Sequence, residues 1–86
     1  MTGKDLKRVI ASNLPLEFGI NETDLHDYIT LKSMEKEGYP VDLGIKEIAI
    51  NQIAGYAVIE VADKVMTQYI EKLDGEDLLG HTIRFQ

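Results

Sequence analysis

Tyr56, Val58 and Glu60 alternate along the run "AGYAVIEV", residues 54 to 61, and a strand sends alternate side chains to one side. The opposite set, Ala57, Ile59 and Val61, is small and aliphatic, as a core face should be. An aromatic, an aliphatic and an acid on the remaining side do not make an ordinary solvated face. An exposed tyrosine ring stacks flat ligands, and exposed aliphatic groups beside it extend the apolar contact. Arg8 and Arg84 add guanidinium groups that pair with anions. The sequence thus offers stacking and charge pairing, which bind a ligand without breaking a bond.

Bond-making chemistry lacks its residues. There is no cysteine, so disulfides, thiolate metal sites and thiol catalysis are excluded. His26 and His81 stand far apart with no partners at ligand spacing, and read as a surface-helix residue and a strand start. No paired carboxylates, no nucleophile with a base and no phosphate-cradling glycine loop are present; "DGEDLLG" reads as a turn. The expectation is a binding module that is not an enzyme and needs no metal or cofactor.

The elements that must position these residues follow from periodicity and punctuation. "RVIAS" (8–12) is a β-branched strand, followed by a loop with Pro15 and Gly19. Asn21 is a fitting N-cap for a helix over 22 to about 37, with Glu22 and Asp24 favourable to the first turn. Leu25, Tyr28, Ile29 and Leu31 supply its apolar positions, and Gly38 and Pro40 end it. "IKEIAI" (45–50) is a strand with Ile48 and Ile50 on one side, and 55–61 is the next. Asp63 caps a second helix with Met66, Tyr69, Ile70 and Leu73 at i, i+3, i+4 and i+7. Met34 and Met66 are read as packing residues. "HTIRFQ" closes the chain as one strand, with Ile83 and Phe85 inward. The order βαββαβ in 86 residues is the α+β, ferredoxin-like sandwich: a four-stranded antiparallel sheet with two helices on one face. Residues 1–7 read as a lead-in and 8–86 as a single domain, a module of a longer protein.

Net charge is -6, which opposes tight nonspecific binding of polyanions. The cations Lys4, Lys7 and Arg8 gather before the first strand, and many acids fall on the expected helices. No apolar run approaches the ~20 residues of a membrane span, so no membrane partner is expected.

With the first and third strands as the central pair, Ile10, Ser12, Tyr56, Val58 and Glu60 meet on the open face. The chain here resembles the RNA-recognition motif over nearly its whole length. The long signature of that family is matched by Gly55, Tyr56, Ala57 and Ile59, without its basic first residue and two further aromatics. The short signature is matched by "SNLP", with Ile10 where an aromatic is usual. The extended "EKEGYPVDLG" connection, the short link in "EIAINQIAGYAVIEV" and the closing "LDG…GHTIRF" resemble, more narrowly, the first such motif of the large subunit of the U2 snRNP auxiliary factor. Those splicing factors read polypyrimidine tracts, and this chain looks like a diverged, fungal-type counterpart.

The resemblance implies contact with single-stranded, pyrimidine-rich pre-mRNA by Arg8, Ile10, Asn13, Tyr56, Val58 and Arg84, with Lys7 assisting on phosphates and Asn51 and Gln52 near base edges. It also implies other splicing factors as partners, a nuclear location and a monomeric isolated domain. Each base stacked on an aromatic is worth about 1–3 kcal/mol, so two missing platforms imply weak binding. The alternative is a protein-interaction member of the same fold that has lost most of its stacking residues. The Arg-x-Phe loop by which some members hold tryptophan-bearing peptides is absent from "DGEDLLG". An enzyme of the acylphosphatase kind would need an arginine in an anion-cradling loop, and "NLPLEFGIN" has none.

Overall fold

The structure is a computed structural model, and residues 7–86 are described. Most of the lead-in assigned to residues 1–7, including Lys4, lies outside the described residues. Lys7 is exposed, and its carbonyl accepts from the Val61 amide at 2.9 Å.

The elements are β1 (Arg8–Ser12), α1 (Glu22–Glu37), β2 (Ile45–Asn51), β3 (Tyr56–Val61), α2 (Lys64–Glu71), β4 (Asp77–Leu78), β5 (His81–Thr82) and β6 (Arg84–Phe85), with a 3-10 turn at Leu16–Phe18. The main sheet is antiparallel in the order β2-β3-β1-β6, so the first and third strands are central as expected. α1 begins where Asn21 accepts the Asp24 amide at 2.9 Å while Asp24 accepts the Asn21 amide at 3.0 Å, a reciprocal capping box. It ends at Gly38, whose φ of 86° is a left-handed cap that a side chain would strain. Asp63 accepts the Val65 amide at 2.9 Å and starts α2.

Val9, Ala11, Ala57, Ile59 and Val61 from the two central strands pack under Leu25 and Ile29 of α1 and Ile70 of α2, all buried. Both helices therefore cover one face of the sheet and leave the other open. Leu73 is buried too, but it lies just beyond α2 and not within it. Tyr28 is partly buried and donates its hydroxyl to the Asp77 carbonyl at 2.9 Å, tying α1 to the β4–β5 hairpin. Burial, with the nearby Glu76 and Asp77, pushes its phenol up to about 12, so it stays a neutral donor.

Three expectations are corrected. "HTIRFQ" is not one strand: His81 and Thr82 pair with Leu78 and Asp77, and the chain joins β1 from Arg84 onward. Glu76 and Asp77, expected to lie in a simple turn, begin that hairpin, with the Ile83 amide donating to the Glu76 carbonyl at 2.8 Å. Leu31 and Met34 are not core residues but are 49% and 37% exposed. Leu31 follows the buried Ile29 by two positions, which on a helix of 3.6 residues per turn is the opposite side.

Candidate functional site

Cross-strand register arranges the open face in three rows. Asn51, Tyr56, Ser12 and Arg84 form the first, Ala49, Val58 and Ile10 the second, and Glu47, Glu60 and Arg8 the third. Adjacent strands are about 4.8 Å apart, and rows two residues apart are separated by about 6.8 Å. Gln86 extends the second row, because Ile10 and Gln86 exchange backbone hydrogen bonds of 2.8 and 2.9 Å.

Tyr56, Val58, Glu60, Ile10 and Ser12 are all half-buried, as expected for side chains rising from the middle of a pleated sheet. The Tyr56 ring borders a shallow hollow of about 480 Å3, walled by Val58, Ala49 and the Asn51–Ile53 corner. The corner is rigid because the Asn51 side-chain oxygen accepts the Ile53 and Ala54 amides at 3.1 and 2.9 Å. Gly55 then turns the chain into β3 at a φ of 79°, a left-handed value that favours glycine. Ile53, at the tip, is 99% exposed. Asn51 is thus a turn-holder through its oxygen, leaving only its amide nitrogen to face a ligand.

The expected contact residues divide into two groups. Arg8, Ile10, Tyr56 and Val58 come together on the face with their side chains uncommitted to any ion pair or hydrogen bond among the described residues. Arg84 and Asn13 are engaged within the fold. The Arg84 guanidinium meets the Asp74 carboxylate through two contacts, of 2.8 and 3.2 Å. Asp74 also accepts the Phe85 amide at 2.9 Å, and the Arg84 and Phe85 bonds together hold its carboxyl below the usual range. Asn13 has a left-handed backbone with φ 63° and donates its side-chain amide to the Thr82 carbonyl at 2.9 Å. His81 bridges the Asn13 carbonyl, 3.2 Å from Nδ1, and the Glu17 carboxylate, 2.8 Å from Nε2. Glu17 is lowered by its own backbone amide first and by His81 second.

The far row has the opposite electrostatic character. Glu47 and Glu60 face each other directly across β2 and β3, an unfavourable pairing of like charges. Arg8, on the other side of Glu60, supplies the local cation, and the three line a hollow of about 140 Å3 with Ala49 and Val58. A flat, uncharged ring meets apolar surface near Tyr56 and the middle row, whereas a phosphate is repelled near Glu47 and Glu60. Glu47 and Ala49 were missed as face residues, although the inward Ile48 and Ile50 imply them by alternation. Asp74 as the partner of Arg84 gave no signal, because nothing local marks a pairing across a turn. Among the described residues no three potential metal ligands cluster, and no helix is long and apolar enough to cross a membrane.

No family model matches the chain. Among solved structures, it is similar to the C. elegans NONO-1 homodimer, at 21% identity and a TM-score of 0.70, over 93% of this chain and 27% of that one. It is also similar to the Rna15 RNA-recognition motif, at 20% identity and a TM-score of 0.58, over 93% of this chain and 86% of that one. The same motif with bound RNA (GU) matches at 20% identity and a TM-score of 0.58, over 93% of this chain and 80% of that one. The chain spans about a quarter of the length of the NONO-1 chain. Element order, sheet order and these likenesses agree, and the chain has the ferredoxin-like fold of the RNA-recognition motif.

Proposed function

We propose that the domain is a weak single-stranded RNA-binding module of a pre-mRNA splicing factor, working in the nucleus beside other splicing factors on pyrimidine-rich RNA. The observation that carries this reading is Tyr56, an aromatic ring half-exposed on a central strand of the open sheet face, beside the Asn51–Ile53 corner and bordered by apolar surface. A base stacks on Tyr56, and its neighbour lies against Val58 and Ile10. Arg8 takes a phosphate. Arg84 and Asn13 contribute as supports of the β6 side, since their polar groups already have partners. The Rna15 motif of the same fold has been solved with RNA (GU) bound, and this supports RNA as the ligand. The narrower likeness to the splicing-factor motif rests on the "INQ" to "AVIEV" spacing.

Replacing Tyr56 by alanine tests this directly. Loss of one stacked base removes about 1–3 kcal/mol, which weakens oligouridine affinity roughly five- to hundred-fold. An affinity unchanged by Tyr56→Ala overturns the assignment. A second reading, a protein-binding face, is favoured by one observation, the opposed Glu47 and Glu60. It predicts instead a partner whose retention survives nuclease.

A further inference from the structure

β2 is an edge of the main sheet, and the hydrogen-bond phase fixes which of its groups are left over. Ile10 exchanges its backbone bonds with Gln86, so Val9 and Ala11 are the residues bonded to Ile59 and Ala57. Tyr56, Val58 and Glu60 therefore turn their backbone groups toward Asn51, Ala49 and Glu47. The N–H and C=O groups of Ile48 and Ile50 consequently point away from the sheet, and no backbone partner meets them among the described residues.

An open edge invites another strand unless something blunts it. Here the blunting is confined to one end, where a register shift falls between Ile45 and Glu47 and Lys46 is exposed. From Glu47 to Asn51 the pairing with β3 is regular, and the run contains neither lysine nor proline.

A groove of about 300 Å3 lies beside the Ile45–Ile48 part of this edge, between Glu22, Thr23 and His26 of α1 and Ile45, Lys46, Glu47 and Ile48 of β2. It continues as a hollow of about 230 Å3 at Thr30 and Val41. The groove exists because α1 turns Leu25 and Ile29 to the core and holds only exposed polar residues above the edge. Ile45 and Ile48 are half-buried and form an apolar floor.

We propose that the β2 edge and this groove receive an extended, basic peptide segment of a partner protein, which adds as a fifth strand. Its backbone pairs with the free groups of Ile48 and Ile50, and alternate apolar side chains enter the groove. The intervening side chains project over the open face beside Glu47, where lysine or arginine is favoured. Charge selects this occupant over a second copy of the chain. Glu22, Asp42 and Glu47 outnumber Lys46 along the edge, and two bodies of charge -6 repel. The site is separate from the Tyr56 row and does not depend on RNA binding.

The test uses a short synthetic peptide of alternating lysine and valine, with a glutamate–valine peptide as control, and follows amide hydrogen exchange by NMR. At a peptide concentration ten times its Kd, exchange at Ile48 and Ile50 slows about tenfold, with shifts at Thr23 and His26 and none at Tyr56. Thr23→Trp, a change at an exposed position that fills the groove, abolishes the slowing and leaves oligouridine shifts at Tyr56 in place. Unchanged exchange at Ile48 and Ile50, equal slowing by the glutamate peptide, or slowing that survives Thr23→Trp overturns the proposal. So does protection that grows with protein concentration alone, which assigns the edge to a second copy.

Discussion

Among the described residues, the three rows of the open face hold one aromatic ring, Tyr56, among aliphatic, acidic and small polar side chains and the guanidinium groups of Arg8 and Arg84. Tyr56 and Val58 lie on one strand and one side, about 6.8 Å apart, close enough to hold successive bases. Val58 gives apolar contact but no π-face, and its half-exposed position has room for a larger side chain above the sheet. Val58→Phe should therefore strengthen oligouridine binding, by about 1–3 kcal/mol or roughly five- to hundred-fold, in a fluorescence titration. No gain would mean that bases do not pass over the middle row. Residue types along β3 made these positions legible in the sequence, because period-two alternation assigns sides without any tertiary information. The hydrogen-bond partners of Asn13 and Arg84 were not legible. Each is separated from its partner in sequence and meets it only in the fold, Thr82 for Asn13 and Asp74 for Arg84.

At the scale of elements, β1, α1, β2, β3 and the start of α2 follow from local signals: the β-branched run before Pro15, an N-cap at Asn21, an aspartate cap at Asp63 and alternation along 47–51 and 56–61. The C-terminal stretch does not. Alternation places Ile83 and Phe85 inward but cannot say which neighbour each pair of residues bonds to, so one apparent strand divides between two sheets. β6 is only two residues long, and Asp74 secures it by accepting both the Arg84 guanidinium and the Phe85 amide. The folded-state pKa of Asp74 is depressed, so its contribution is present above the unfolded value of 3.8 and is lost as pH falls through the lower folded value. Glu17, bonded to His81, behaves in the same sense below its unfolded value of 4.5. Urea unfolding should show stability falling as pH drops through and below the unfolded values of 4.5 and 3.8, and Asp74→Asn should make that fall shallower. An identical acid-side loss in the variant would place the sensitive carboxylates elsewhere.

For the molecule as a whole, charge and surface chemistry act in opposite directions. The net charge of -6 opposes RNA, while the Tyr56 ring and the middle row of Ala49, Val58 and Ile10 offer it an apolar bed. Binding should thus depend on stacking more than on phosphate neutralisation. With Arg8 as the main phosphate contact, log affinity should fall with log salt at a slope of about -0.7, the single-strand value for one charge. Asp74→Asn releases Arg84 and should steepen the slope to about -1.4. A slope already several times steeper in the unmodified domain would locate binding on another surface. The most direct test of the central claim is an NMR titration of the labelled domain with a short oligouridine against an oligoadenosine control. The account predicts shifts concentrated at Tyr56, Val58, Ile10 and Arg8, larger with uridine. A silent open face at millimolar RNA would contradict it.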